Sequence, residues 1–269
     1  MRSAVCSPEP STRRWKTRRK MIEAFRVGAV SRGETLWEGL DLAAGDGEMW
    51  LVTGPPSCGK TLLLHILRGE RRPDSGDVHV AGESLYRGSP EHNRRFRASS
   101  GVVPESLPAG QGRAVVDLFR LSAFAAGGVS TEEIKGRISE LLPLVGLSGA
   151  EDVEVSSLSV SERARIALVV ELFRSPRYLF LDRLLENAGK EWADRLGGLL
   201  RALAREDRTI LMMERQLPDI WQAAKVPSPL SSGPFFLYRL GSPGPDRKSE
   251  AEGPPLPAGP LSETTGGVE

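Results

Sequence analysis

Residues 54–61 read Gly54-Pro55-Pro56-Ser57-Cys58-Gly59-Lys60-Thr61, which fits the pattern G-x-x-x-x-G-K-[ST] without a mismatch. The apolar segment 49–52 precedes this stretch and predicts a strand, and the apolar segment 62–67 follows it and predicts a helix. The two glycines let successive backbone N–H groups turn towards an anion, and the start of the helix adds its positive end. Lys60 supplies a charge for β- and γ-phosphates and Thr61 a hydroxyl ligand for Mg²⁺. The stretch therefore predicts a phosphate-binding loop.

The composition is that of an ordinary globular chain. Of 269 residues, 39% are hydrophobic and 26% charged, and the net charge of +1 does not favour a nucleic-acid-binding protein. The two cysteines, Cys6 and Cys58, are far apart, so a disulfide framework is not expected and a reducing cytosol is the natural setting. No apolar run reaches the roughly 18–20 residues of a membrane helix, so we expect any membrane role to depend on a partner.

The two ends of the chain differ from its middle. Residues 1–20 are basic and poorly patterned, which predicts a disordered leader, or an extension before a true start at Met21. A basic arm for anionic lipid or nucleic acid is the alternative. Residues 241–269 are rich in Pro, Gly, Ser and Glu, which predicts a disordered tail.

Strands alternate with helices between these ends, which predicts an α/β domain with a mostly parallel sheet. The predicted strands, apart from the one before the loop, are 22–27, 36–42, 77–82, 101–103, 178–182, 209–213 and 235–238. The predicted helices, apart from the one after the loop, lie within 115–147 and at 161–173, 192–204 and 217–224. Ser130 and Glu133 have the spacing of a helix capping box.

Five landmarks in order make the chain resemble the ATP-binding subunit of ABC transporters and related bacterial ABC systems, over about residues 22–240. They are the phosphate-binding loop, the turn at 73–76 with Gly82, the segment 140–147, the segment 158–165 and the strand 178–182. Segment 158–165 lies where the family has its LSGGQ signature followed by R-x-R, and strand 178–182 resembles the Walker B strand.

The resemblance implies a fold and a set of site residues. The fold is α/β, a P-loop NTPase of the ABC type: a mostly parallel core sheet with an antiparallel β edge and a helical signature subdomain at about 106–174, within a domain at 21–240. The implied nucleotide-binding residues are Gly54, Pro55, Pro56, Ser57, Cys58, Gly59, Lys60, Thr61, Leu62, Glu105 and Asp182, with Thr61 and Asp182 as Mg²⁺ ligands. The signature-like residues are Leu158, Ser159, Val160, Ser161 and Glu162.

The groups that the family uses for hydrolysis are replaced in this sequence. Arg183 stands where the family has the glutamate that orients the attacking water, and Arg215 where it has a histidine near the γ-phosphate. An arginine has no acceptor for a water proton, and losing such an orienting group typically costs ~10²–10⁴-fold in rate. The sequence therefore predicts that ATP is bound while hydrolysis is weak or absent.

Further departures concern base binding and the dimer. Glu105 replaces the Q-loop glutamine, Gly189 the D-loop aspartate, and no aromatic stacking residue is found around Val30. Val160 and Ser161 replace the two signature glycines, and a β-branched side chain there is expected to weaken an ATP-sandwiched dimer.

The predicted function is that of an ATP-binding subunit with ATP and Mg²⁺ as cofactors. It would couple MgATP binding to a membrane permease subunit in transport, export or cell division, at the inner face of the plasma membrane. It would form a homo- or heterodimer with another ATP-binding subunit, and we expect neither nucleic-acid binding nor a membrane span of its own. Two alternatives stay open: a working ATPase in which Glu186 or Glu214 acts as a displaced base, and a non-enzymatic half of a heterodimer. A GTPase is disfavoured because no N-K-x-D motif is present, and a metal enzyme because the three histidines lack ligand spacing.

Overall fold

A computed structural model describes residues 20–105, 107, 112–125, 127–185, 189–216 and 235–239 of the chain. The predicted helix 217–224, the predicted tail and all of the predicted leader except Lys20 lie outside these residues. The strands are β1 (Lys20–Ser31), β2 (Glu34–Gly45), β3 (Met49–Thr53), β4 (Ser75–Val80), β5 (Glu83–Ser84), β6 (Ser100–Val103), β7 (Tyr178–Asp182), β8 (Thr209–Glu214) and β9 (Phe235–Arg239). The helices are α1 (Lys60–Leu67), α2 (Pro90–Ala98), α3 (Val115–Ala125), α4 (Thr131–Leu144), α5 (Val160–Phe173) and α6 (Lys190–Arg205).

A parallel five-stranded sheet in the order β6-β7-β8-β3-β9 forms the centre of the fold. Its inner strands are apolar on both sides, as expected for strands covered on both faces. In β7, Leu179 and Leu181 enter one hydrophobic core, whereas Tyr178 and Phe180 enter the other. The predicted parallel α/β sheet is confirmed.

The two faces of this sheet are covered differently. One core includes side chains of α3, α4, α5 and α6, such as Phe119, Ile138, Leu168 and Leu200. The other includes side chains of α1 and of a second, antiparallel sheet in the order β2-β1-β4-β5. The predicted antiparallel strands are therefore present, and they form a separate layer with its own hydrogen-bond ladder.

The helical side of the molecule is built from α3, α4 and α5, which contact one another. The rings of Phe119 on α3 and Phe173 on α5 meet edge to face, with centroids 5.6 Å apart. Ser130 caps α4 as expected, because its hydroxyl accepts a hydrogen bond from the Glu133 amide at 3.2 Å. These helices lie within the segment predicted as a helical subdomain, whose boundaries stay a prediction.

One helix was missed, and two predicted boundaries were wrong. The strand predicted at 77–82 is β4 at Ser75–Val80, because Ala81 and Gly82 form a turn at positive φ before β5. Helix α2 was not predicted, because Phe96 is the only buried residue of this polar helix and no apolar stripe marks it. Its start does carry a signal, since Ser89 caps it and Pro90 occupies the first turn. Helix α5 was expected to begin at Ser161 but begins one residue earlier, because Ser159 is the N-cap.

Candidate functional site

The predicted phosphate-binding loop connects β3 to α1 at the carboxyl edge of the parallel sheet. Pro56 and Ser57 are exposed at its crest, with Ser57 at φ +63°, while Cys58 is fully buried beneath them. Gly59, at φ +91°, occupies the N-cap position of α1, a conformation that side chains rarely adopt. Thr61 and Leu62 follow in the first turn of that helix, so the loop delivers a helix N-terminus to this edge.

Lys60 is the charged centre of the loop. Its side chain is 6% exposed, and its ammonium donates hydrogen bonds to the backbone carbonyls of Gly54 at 2.6 Å and Pro55 at 2.7 Å. Cys58 Sγ lies 3.6 Å from the same nitrogen. Both oxygen acceptors are neutral carbonyls, so these two contacts do not pair the ammonium with a counter-charge.

Trp37 of β2 supports the loop from below, a role that the sequence patterns did not indicate. A Cβ on Gly59 would lie 2.7 Å from Trp37 Nε1 and 2.9 Å from Leu36 Cδ1, so only glycine fits this position. The indole is 5% exposed, and its N–H has no hydrogen-bond partner among the residues that the structure describes. The antiparallel sheet therefore packs directly against the phosphate-binding loop at Gly59.

Thr61 and Asp182 meet at the carboxyl end of β7. The Thr61 hydroxyl donates a hydrogen bond to Asp182 Oδ2 at 2.9 Å. The carboxylate is 8% exposed, and its Oδ1 is buried with no hydrogen-bond partner within the described ranges. Buried charged oxygens are normally paired or bound to a metal. The hydroxyl, the carboxylate and the open Oδ1 fit a Mg²⁺ ion that takes its other ligands from phosphate and water.

Arg183 follows Asp182 directly and carries the largest departure from the expected pattern. Its Nη2 lies 2.7 Å from Oε2 of Glu105, and the two side chains are 34% and 43% exposed. Its backbone is in the left-handed region at φ +52°, and its amide donates a hydrogen bond to the Met213 carbonyl at 2.8 Å. The two family positions that hold a glutamate and a glutamine are therefore occupied by a mutually paired arginine and glutamate.

The end of β8 closes the same edge. Glu214 is 3% exposed and accepts a hydrogen bond from the Leu185 amide at 2.8 Å, which ties the segment after Arg183 to β8. Arg215 is exposed, and its backbone carbonyl accepts a hydrogen bond from the Gly54 amide at 3.3 Å. Arg215 thus lies beside the first residue of the phosphate-binding loop. Glu186, the other candidate for a displaced base, lies outside the described residues.

The signature-like residues form the N-terminus of α5. Ser159 and Glu162 make a reciprocal capping box, with the Ser159 amide donating to Glu162 Oε2 at 2.8 Å and the Glu162 amide to Ser159 Oγ at 3.2 Å. These bonds hold the pKa of Glu162 below its usual value. Val160 is 42% exposed at the first position of the helix, Leu158 is buried, and Ser161 is half-buried. The helix start therefore carries its own carboxylate and an exposed branched side chain.

Other signs of a metal or membrane site are absent from the part of the chain that the structure describes. It contains no group of three or more His, Cys, Asp or Glu residues arranged for a metal ion. None of its helices combines the length and the apolar character needed to span a membrane. Gly189, at the position of the D-loop aspartate, is the N-cap of α6.

Sequence reasoning found each loop of this site but missed two contacts between them. The Glu105–Arg183 pair joins two positions that had been noted separately as departures, and their opposite charges were the signal that could have linked them. The position of Trp37 under Gly59 has no local signal, because it depends on how the antiparallel sheet packs on α1.

The comparisons with known proteins all indicate the same family. The family model for ABC transporters matches residues 37–185. A protein of Halobacterium salinarum named as an ABC transporter ATP-binding protein is 32% identical over 189 residues, which are 70% of this chain and 79% of the relative. The methionine import ATP-binding protein MetN of Geobacillus kaustophilus is 30% identical over 172 residues. This match covers 64% of the chain and half of the relative's length.

Solved structures agree with these sequence matches at the level of the fold. The dimeric structure of a bacterial ABC transporter cassette superposes with a TM-score of 0.68, at 18% identity. The superposition covers 82% of this chain and 94% of that one.

Proposed function

Because the chain belongs to the ABC transporter family of ATP-binding proteins, we propose that it is the ATP-binding subunit of a membrane transport system, in which it binds MgATP but hydrolyses it weakly or not at all. The observation that carries this proposal is the contrast at the end of β7. Asp182 and Thr61 form a binding pair with an open carboxylate oxygen, and the next residue is an arginine already paired with Glu105.

The binding half of the proposal rests on the loop and on charge. The Lys60 ammonium contacts two neutral carbonyl oxygens, which phosphate oxygens of ATP would replace with a gain in charge complementarity. Backbone N–H groups of the loop and of the first turn of α1 would complete the cradle. Thr61 and Asp182 would hold Mg²⁺, which neutralises phosphate charge when bound.

The hydrolysis half rests on the two arginines at the family positions of the water-orienting groups, because neither of these described residues offers a side-chain acceptor. Arg183 is a permanent cation that cannot take or orient a water proton. The carboxylate of Glu105, which contacts it, is held in the ion pair. Arg215 likewise offers no acceptor where the family has an imidazole. In-line attack by water requires both orientation and charge stabilisation, and Arg183 and Arg215 can supply only the second at these two positions.

The partners follow from the family and from the relatives. The named relative from Geobacillus is a methionine import protein, which favours import over export or cell division for this chain. A permease subunit would then supply the path through the membrane and the substrate specificity, with this chain bound at the cytoplasmic face. A second ATP-binding subunit would form the dimer seen for the structural relative.

One observation favours a more specific second candidate, the non-enzymatic half of a heterodimer. In the family, the signature of one subunit faces the phosphate-binding loop of the other. Here that signature presents Val160 and the self-capping Glu162 carboxylate, both unfavourable to a partner's γ-phosphate. A partner with an intact signature would still complete the site at Lys60 of this chain. Co-purification of such a chain would support this candidate, and a strictly monomeric protein with ATP would contradict it.

The displaced-base alternative receives little support from Glu214. Its carboxylate is buried and engaged by the Leu185 amide, so it orients the protein backbone. Glu186→Gln and Glu214→Gln variants test this alternative directly. If neither variant lowers a measurable hydrolysis rate, the displaced-base mechanism is excluded.

Equilibrium binding tests the main proposal. We expect the purified protein to bind ATP in the presence of Mg²⁺ and Lys60→Ala to weaken binding at least tenfold, because a charged hydrogen-bond donor is lost. Lys135→Ala, which removes an exposed lysine of α4, should have no effect. Steady-state turnover should stay low with and without the permease. No affinity of the unmodified protein for ATP would refute the binding half, and turnover typical of enzymes, ~1–10³ s⁻¹, would refute the other half.

A further inference from the structure

The ion pair between Arg183 and Glu105 lies at the edge of the sheet where the proposed nucleotide phosphates would bind. Glu105 lies two residues beyond β6, and Arg183 lies one residue beyond β7. These strands are parallel neighbours, with Val103 paired to Leu181, so both side chains emerge from the same edge. Since Thr61 donates to Asp182, this edge is joined to the first turn of α1.

The backbone holds Arg183 in place, whereas its side-chain partner is exchangeable. The Arg183 amide is tied to the Met213 carbonyl at 2.8 Å, and a left-handed φ of +52° at a non-glycine residue is an unfavourable conformation that the surroundings must maintain. The side chains of Glu105 and Arg183 are each more than one-third exposed to solvent. An exposed ion pair of this kind typically changes an equilibrium constant by a factor of about five at most.

A guanidinium binds carboxylates and phosphates with the same donor geometry, but a terminal phosphate carries more charge and more acceptor oxygens. From this geometry we infer that Arg183 is a specificity residue for nucleoside triphosphates over diphosphates, with Glu105 as its internal competitor. The γ-phosphate takes the place of the Glu105 carboxylate on the guanidinium, and a diphosphate ends short of it. This inference rests on the proposed nucleotide binding at Lys60 and adds the residue that recognises the terminal phosphate.

The competition gives the two residues opposite effects. Removing the guanidinium removes a charged donor that only the triphosphate uses, so ATP binding should weaken while ADP binding changes little. Removing the Glu105 charge removes one acceptor that competes with phosphate for the guanidinium and takes a negative charge away from the site, so ATP binding should tighten. A pair that served only to stabilise the fold would change the affinity for both nucleotides together, or for neither.

The readout is the ratio of the dissociation constants for ADP and ATP, each measured by calorimetry with Mg²⁺ present. We expect Arg183→Gln to lower this ratio about tenfold or more, and Glu105→Gln to raise it up to about fivefold. The matched control is Asp46→Asn, which breaks the 3.0 Å ion pair of Asp46 with Arg177 just before the other end of β7 and should leave the ratio unchanged.

The outcomes separate this inference from the proposed function. If the unmodified protein binds ATP but neither variant changes the ratio by more than about twofold, the specificity role is wrong and nucleotide binding stands. If the unmodified protein binds neither nucleotide, both proposals fail. Should Arg183→Gln not fold, as judged by circular dichroism, Glu105→Gln decides alone, because it changes an exposed side chain and keeps its shape. An unchanged or lowered ratio in Glu105→Gln then overturns the inference.

Discussion

Replacing Asp182 with asparagine should leave the ligand-free protein at least as stable while removing the stabilisation that MgATP provides. Asp182 is 8% exposed and satisfies only one of its oxygens, through the Thr61 hydroxyl at 2.9 Å. Its other oxygen is buried without a hydrogen-bond partner among the described residues. Asparagine keeps an oxygen for Thr61 and replaces a partly unsatisfied buried charge with a neutral amide, which is less costly to bury.

The expected magnitudes can be worked out separately for the two effects. An unsatisfied buried polar group costs about 1–3 kcal/mol, which sets the upper limit of the gain in the ligand-free protein. In a domain of this size, each 1 kcal/mol shifts Tm by about 2–4 °C. Ligand at a hundred times its Kd stabilises by about 2.7 kcal/mol, so MgATP should raise the Tm of the unmodified protein by about 5–10 °C. In Asp182→Asn the shift should fall to the level seen with ATP and EDTA.

Thermal unfolding with ATP, with Mg²⁺ or with EDTA, measures both effects in one series. Asp46→Asn is the control: it loses an ion pair with Arg177, so its Tm should fall slightly while its MgATP shift is retained. If ligand-free Asp182→Asn melts more than about 4 °C below the unmodified protein, the claim that the unpartnered Oδ1 of Asp182 is costly to bury is refuted. An undiminished MgATP shift in that variant would refute the assignment of Asp182 as a Mg²⁺ ligand.

Three further changes test the loop and the signature-like helix start. Gly59→Ala and Gly33→Ala both place a side chain on a residue with positive φ, which costs about 1–2 kcal/mol of stability in each variant. Only the Cβ at position 59 also meets another side chain, Trp37 Nε1 at 2.7 Å. Urea unfolding should therefore show Gly59→Ala as the less stable variant by about 1–3 kcal/mol, and equal losses would contradict the close packing. Ser159→Ala should cost about 1 kcal/mol by removing the cap of α5, measured in the same way. The pKa of Glu162 is lowered in the fold, so its contribution is complete above the ordinary value of about 4.3 and is lost as pH falls through the lowered value. Glu162→Gln should accordingly cost stability at neutral pH and progressively less below about pH 4, and a loss that is the same at both pH values would contradict the capping box.

The sequence predicted those elements of the fold whose signal is local. Strand β7 was predicted with its observed ends, because an apolar run there stops at the carboxylate of Asp182. Helix α2 was missed, because its one buried residue, Phe96, leaves no periodic apolar pattern to detect. Its cap at Ser89 was the available signal, and caps carry less information than a full stripe of core residues.

In the candidate site, too, residues with a local sequence pattern were predicted, and contacts between distant segments were not. The loop at 54–61 and Asp182 could be recognised one at a time, since each has its own local pattern. The pairing of Glu105 with Arg183 could not, because it arises only when β6 and β7 become neighbours in the sheet. The fit of Trp37 beneath Gly59 has the same origin, since two layers that are separate in sequence must pack before the contact exists.

The fate of ATP bound by this protein tests the central claim most directly. Protein in excess over ATP, at concentrations that saturate binding and with Mg²⁺ present, is quenched with acid at increasing times, and ATP and ADP are then separated and measured. Typical turnover is ~10 s⁻¹, and loss of an orienting group costs ~10²–10⁴-fold, so we predict that bound ATP survives with a half-life of about seven seconds or longer. Conversion of the bound ATP to ADP and phosphate within about one second would contradict the claim that Arg183 and Arg215 leave the site able to bind ATP but poorly able to cleave it.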